Sequence, residues 1–327
     1  MIRKKKPNLL ISICGIILLA FSFISLGIGS ISISPIDIFY TLIGHSSDNS
    51  FILFNYRLPR MIIAIIVGAS LAVAGAILQI ILKNPLASPD VVGVTKGASL
   101  FAVASMILLP NALTIMLPIS ALLGAVTVAT ILLVFAYKQG AKTHSFALIG
   151  IALSAICQAG IQFFIVKFPD NVNTTLLWLT GSLWGRSWNE IIFLIPCLIL
   201  VPIMLLFARK LEILGLGDKV ASSLGENVQL LRYSFLSVSV ILTGASVAVV
   251  GSIGFIGLVV PHLSKRLVDT NARRFITMSA ILGALFLLVA DTIGKGLMPP
   301  VEIPAGIVTA LIGAPYFLYL LRREKNK

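Results

Sequence analysis

The sequence predicts an all-α polytopic membrane protein of about ten transmembrane helices with an inverted internal repeat, and three observations carry that prediction. Of 327 residues, 58% are hydrophobic and only 11% charged, with a mean hydropathy of +1.04. A water-soluble domain would carry about 25% charged residues. Apolar runs of bilayer-spanning length, about 20 residues, recur along the whole chain. Finally, "GASLAVAG" (Gly68 to Gly75) returns as "GASVAVVG" (Gly244 to Gly251), offset by 176 residues.

The ten runs begin near Leu9, Met61, Val91, Leu113, Phe146, Ile191, Tyr233, Ile253, Phe275 and Ala305. The first follows a basic stretch, as a signal peptide would. Its apolar part reaches from Leu9 to about Ser30, longer than the roughly 7–15 residues of a cleaved segment, and no A-x-A site follows. A retained first helix with Arg3 to Lys6 in the cytoplasm is therefore expected. The third and eighth runs are short and bounded by Gly and Pro, so a full crossing of the hydrocarbon core is in question for both.

Charge sets the orientation. With the N-terminus inside, five of the 25 basic residues (Arg57, Arg60, Lys167, Arg186 and Lys295) fall outside and the other twenty inside. That positive-inside bias supports an even number of spans with both termini cytoplasmic. It also accounts for the net charge of +13 without nucleic acid.

The repeat has further markers. A proline, Pro85 or Pro261, follows ten residues after each final glycine, and "SALLGA" (Ser120 to Ala125) returns as "SAILGA" (Ser279 to Ala284). Five spans separate the copies, an odd number, so the second half lies upside down relative to the first, as in many transporters. Ala64, Gly68 and Ala72, and likewise Gly244 and Ala248, stack at four-residue spacing and let helix backbones approach closely.

Enzyme chemistry finds little footing. "TIGKG" lacks the first glycine and the hydroxyl residue of a phosphate-binding loop, and no H-E-x-x-H occurs, with His45, His144 and His262 scattered. Cys14, Cys157 and Cys197 sit far apart in apolar runs and read as small packing residues. The one candidate deep acid, Asp291, lies four residues before Lys295, which reads as an i,i+4 ion pair near a helix end. Transport energised by nucleotide would need its ATP and Mg²⁺ on another polypeptide, with no cofactor on this one.

The segment 208–232 is a cytoplasmic loop within a single permease domain, 1–327. In it "LGDKVASSLG" reads as a two-turn helix, with Asp218 suited to the N-terminal end and Gly225 to the position after the C-cap. Val220, Ala221 and Leu224 form one small apolar face, which could cover the helix ends or insert into a partner's groove.

"RLPRMIIAIIVGASLAVAGAILQIILKNPLASPDVVGVTKGAS" resembles the signature region of the FecCD-type permeases, the membrane subunits of type II ABC importers for ferric siderophores, haem, vitamin B12 and related cargo. "LGDKVASSLG", "GSIGFIGLVVPHLSKRL" and "IPAGIVTALIGAPYFLYLL" are similar to family segments in the expected order, so the resemblance covers residues 10 to 322. It implies ten helices with the repeat in spans two to five and seven to ten, and a permease dimer with a second copy or a paralogue. It also implies a cytoplasmic ATPase dimer and an extracytoplasmic substrate-binding protein, in the bacterial cytoplasmic membrane. The matching loop would engage the ATPase through Leu216, Gly217, Ala221, Leu224 and Gly225. The fifth helix would line the path, and there Ser154, Gln158 and Gln162 form a polar stripe that equally suits inter-helix hydrogen bonding. Basic residues of the family's external mouth correspond to Arg57, Arg60 and Lys295.

Two readings of Arg57 and Arg60 stay open. At a helix mouth they avoid most of the about 2.5–3.5 kcal/mol that a mid-membrane arginine costs. They could anchor headgroups or pin the N-terminal loop, or they could receive carboxylates of the binding protein, which suits a planar guanidinium. The cargo expected from the family is a ferric siderophore or similar iron chelate, with vitamin B12, haem or an oxyanion as alternatives. An ion-coupled secondary transporter is the competing class; it would favour acids near mid-membrane.

Overall fold

The computed structural model describes residues 6–44, 49–109, 115–138, 143–268 and 271–324. Arg3, Lys4, Lys5, Lys142, Lys325 and Lys327, all placed inside by the charge count, lie outside the described residues, as does His45. Among the described residues the regular structure is entirely helical. Helix α1 (Pro7–Gly27) and the short α2 (Pro35–Leu42) precede a continuous helical stretch, Ser50–Ile81. That stretch comprises the single turn α3 (Ser50–Ile52), a five-residue π-helical segment (Leu53–Arg57) and α4 (Leu58–Ile81). There follow α5 (Val94–Leu108), α6 (Met116–Lys138), α7 (Thr143–Lys167) and α8 (Val172–Leu179). A 3₁₀ segment (Trp188–Leu194) runs into α9 (Ile195–Leu206), then α10 (Ala208–Leu216) and α11 (Asp218–Ser223). The chain closes with α12 (Val228–Val250), α13 (Ile256–Leu267), α14 (Ala272–Gly296) and α15 (Ala305–Glu324).

Each of the ten apolar runs corresponds to a helix, and among the described residues seven helices are long and apolar enough to cross a membrane. Helices α5 and α13, in the third and eighth runs, have 15 and 12 residues. At 1.5 Å per residue they reach about 22 and 18 Å, against about 30 Å of hydrocarbon core. Local chemistry stops them. Gly93 (φ +89°) ends the loop before α5, and Phe255 (φ +68°) sits at the N-cap of α13. Helix starts elsewhere follow side-chain caps: Ser34, Asn227 and Asn271 each accept a backbone N–H of the first turn.

The repeat shows as an exchange of partners. α4 packs on α14 and α12 on α6, so the first helix of each half meets the third helix of the other. Both contacts use the matched small residues. A Cβ at Gly68 would collide with the Gly283 carbonyl, and one at Gly244 would crowd Ala125. Gly75 lies equally tight against Gly257 of α13. α4 and α12 form the centre, with 72% of each apolar window buried, against 11% for α1 and 17% for α7. Cys157 and Cys197 are buried free thiols, and Cys14 is half-buried.

Candidate translocation and coupling sites

At the pole the charge bias assigns to the outside, the π segment widens the turn that carries Arg57 into the start of α4. The Arg57 guanidinium does not project outward. Its Nη1 donates to the Leu26 carbonyl at 2.5 Å and its Nη2 to the Ile31 carbonyl. Gly29 lies against the same guanidinium, leaving no room for a larger residue without displacing it. Arg57 thus pins the segment between α1 and α2, the loop-pinning role open to it from sequence.

Arg60, one turn further, is claimed by acids. Its Nε and Nη2 grip both oxygens of Asp291 at 2.8–3.1 Å, and its Nη1 lies 2.8 Å from Glu302 Oε2, close but off-axis for a hydrogen bond. The Arg60 and Asp291 side chains are only 14% and 3% exposed. Lys295 is buried and its ammonium donates to the Ser25 carbonyl of α1 at 2.6 Å. The i,i+4 pairing of Asp291 with Lys295 is therefore corrected. On a helix packed against two neighbours, each side chain finds a better partner across an interface, Asp291 on α4 and Lys295 on α1.

Arg57, Arg60, Lys295 and Glu302 border a cavity of about 400 Å³, whose lining adds Tyr56, Trp184 and Arg186. Arg186 was visible in sequence only as an unexplained external charge. Its setting, "GSLWGRSWNE", held the signal: a glycine turn followed by a capping box. Gly185 has φ +70°, the Arg186 N–H closes a turn onto the Leu183 carbonyl, and Glu190 accepts from both the Ser187 N–H and hydroxyl. Burial lowers the pKa of Arg186, with the Glu190 carboxylate opposing.

The polar stripe of α7 divides. The Ser154 hydroxyl donates to the Asp90 carbonyl at 3.2 Å and packs on Gly93, joining α7 to the loop after α4. Gln158 is half-buried and Gln162 exposed, on a helix that also exposes Ile151, Ile156, Phe163 and Val166. Ser154 thus serves the chain's interior, and the two glutamines belong to the more open part of the helix.

At the opposite pole, α10 and α11 are joined at Gly217 (φ +120°), and α11 ends in a Schellman motif: the Glu226 N–H bonds the Ala221 carbonyl and the Gly225 N–H that of Ser222. Gly225, at φ +81°, occupies the position after the C-cap that the sequence assigned it. Asp218 accepts from Arg232 at the root of α12 at 2.8 Å, and Glu212 accepts from the Ala272 N–H at the start of α14. The apolar face differs from the sequence reading. Ala221 is fully buried against its own chain, whereas Leu216, Val220 and Leu224 are 63%, 43% and 58% exposed. In a helix this short the inward side is fixed by the neighbouring α10 and α12, and that packing requires a small residue.

Two exchanged helical halves, a charged mouth at one pole and an exposed apolar element at the other define a multi-pass membrane protein of the transporter kind. The chain belongs to the FecCD transport family, which matches residues 17–323. It is 52% identical, over 99% of this chain and 98% of the relative, to the Fe(3+)-citrate import system permease protein YfmE of Bacillus subtilis. It is 44% identical to the Fe(3+) dicitrate transport system permease protein FecD of Escherichia coli, over 86% of this chain and 88% of that one. Identity to the hemin transport system permease protein HmuU of Yersinia pestis is 36%, over 98% of each. Among solved structures, an inward-facing metal-chelate type ABC transporter superposes with a TM-score of 0.87 at 30% identity, covering 97% of this chain and 99% of that one.

Proposed function

We propose that this chain is the permease subunit of an ABC importer that carries a ferric citrate-type iron chelate into the cytoplasm. The observation that carries this reading is the near full-length identity to relatives named as Fe(3+)-citrate permeases, at 52% and, for YfmD of Bacillus subtilis, 38%. The exposed Leu216, Val220 and Leu224 support energy input from a separate ATPase dimer that holds ATP and Mg²⁺, with the loop as the contact. The glutamines of α7 would face the path between this permease and a second copy or a paralogue. Both termini and the coupling loop would lie in the cytoplasm, and an extracytoplasmic binding protein would deliver cargo at the Arg57, Arg60 and Lys295 pole. In that role these three side chains shape and charge the mouth, since each already has a partner within the chain. The acid that the sequence offered for ion coupling, Asp291, is held by Arg60, which speaks against the ion-coupled alternative.

The test is reconstitution with the ATPase and binding protein in proteoliposomes. ATP-dependent uptake of radioactive iron should be greater from ferric citrate than from a ferric hydroxamate or hemin. Uptake driven by an ion gradient without ATP would overturn the importer class, and faster uptake of another chelate would overturn the cargo.

A further inference from the structure

The charge balance of the mouth cavity is unusual. Four cations line it, Arg57, Arg60, Arg186 and Lys295, with Glu302 as the acid in the lining. Glu302 is engaged with Arg60, and Asp291, outside the lining, is engaged with Arg60 too. Arg57 and Lys295 are hydrogen-bonded to neutral carbonyls, which fix their geometry; Lys295 also lies in the field of Asp291 and Glu302, whereas among the described residues no acid pairs with Arg57. Arg186 differs from all three. Among the described residues its guanidinium has no hydrogen-bond or ion-pair partner, and its Nε is shielded from solvent. Glu190 accepts the Ser187 N–H and hydroxyl in the capping box and acts on Arg186 through its charge, without a hydrogen bond to it.

A guanidinium whose Nε is shielded from solvent and unpaired, beside the cations Arg57 and Lys295, leaves a buried donor that an anion would complete. The site is also rigid. The Ser182 N–H donates to the Val250 carbonyl and the Gly306 N–H to the Gly181 carbonyl, bolting the arginine's loop to α12 and α15. A cavity of about 400 Å³ lies within the range of small-ligand sites, and Trp184 and Tyr56 stand exposed at it.

We propose that this cavity is a binding site for a small polycarboxylate, with Arg186 as the primary carboxylate ligand and Arg57 and Lys295 as the supporting field, so that the cargo chelate is first held here on entering the permease. The planar fork of arginine matches a carboxylate through two parallel hydrogen bonds. This inference rests on the carboxylate cargo of the proposed function, and it adds a site and a residue to it.

The permease–ATPase complex in lipid nanodiscs, without binding protein, is titrated with radiolabelled sodium citrate by equilibrium dialysis, and Trp fluorescence is followed in parallel. Saturable binding is expected, weakened by salt and absent for the neutral triamide of citrate. Arg186→Gln should weaken it about tenfold or more, the loss expected for a hydrogen-bonded charged pair. Arg186→Lys, which keeps charge and loses the fork, should fall between. An unchanged thermal midpoint establishes that each variant is folded. Absence of saturable binding in the wild type, or equal binding by Arg186→Gln, overturns the proposal. Unchanged citrate binding with weaker docking of the binding protein also overturns it, and assigns the site to a protein carboxylate. Ferric citrate uptake by the wild type in the same preparations keeps the two readings apart: uptake with no effect of Arg186→Gln on binding or transport removes this site and leaves the function, whereas no uptake removes the cargo.

Discussion

The two poles of the molecule use their side chains in opposite ways. At the mouth, the residues that look built for a partner are turned inward: Arg57 holds backbone carbonyls, Arg60 holds two acids and Lys295 holds α1. At the α10–α11 pole, the polar residues are the internal ones, Asp218 with Arg232 and Glu212 with α14, while the apolar Leu216, Val220 and Leu224 are left outside. Residue type alone therefore does not tell contact from scaffold. Burial of a charge requires a partner, whereas exposure of three apolar side chains on a short loop helix calls for an explanation outside the chain.

The comparison breaks most visibly at Asp291. Asp291→Ala leaves the buried Arg60 with Glu302 alone, and removing one member of a buried pair costs about 3–5 kcal/mol. The detergent-solubilised variant should show a markedly lower thermal midpoint, and a midpoint equal to wild type would mean that Arg60 is not held from within. Arg57→Ala removes two charged hydrogen bonds, each of order 1.5–3 kcal/mol. The loss should concentrate in the segment between α1 and α2, read as faster amide hydrogen exchange over residues 27–33 with the α4–α14 contact unaffected.

Much of the fold was legible because bilayer thickness and charge asymmetry act on composition directly. The ten apolar runs each meet a helix, the short third and eighth runs give short helices, and the matched glycines mark the exchanged contacts. The sites were less legible, for an identifiable reason. Arg60 and Asp291 are 231 residues apart, and no local pattern links them. Local spacing instead suggested Asp291 with Lys295, a pairing that tertiary packing overrides. Ala221 was placed on the right short helix and on the wrong side of it, because which face turns inward is decided by α10 and α12. Arg186 lay in a recognisable glycine turn, yet its shielded Nε, unpaired among the described residues, is a property of three dimensions only.

Lys210 and Glu226 meet at 3.5 Å between α10 and the segment after α11, with the lysine 46% exposed. Surface pairs of this kind contribute about 0–1 kcal/mol. Lys210→Gln should leave the thermal midpoint and cargo-stimulated ATP hydrolysis within error of wild type, and a loss of either would mean that the loop is braced from its rim as well as from Arg232.

The most direct test compares two substitutions three residues apart on the same loop, Ala221→Arg and Leu224→Arg, each measured for thermal midpoint without the ATPase and for cargo-stimulated ATP hydrolysis with it. Ala221 is fully buried and Leu224 is 58% exposed. Forcing an arginine into the packed position should lower the midpoint of the isolated permease, because overpacking costs about 1–3 kcal/mol even for apolar additions. Leu224→Arg should leave that midpoint unchanged and abolish stimulated hydrolysis. The opposite pattern, a stable Ala221→Arg permease that fails to couple beside a fully coupled Leu224→Arg, would contradict the assignment of inward and outward faces.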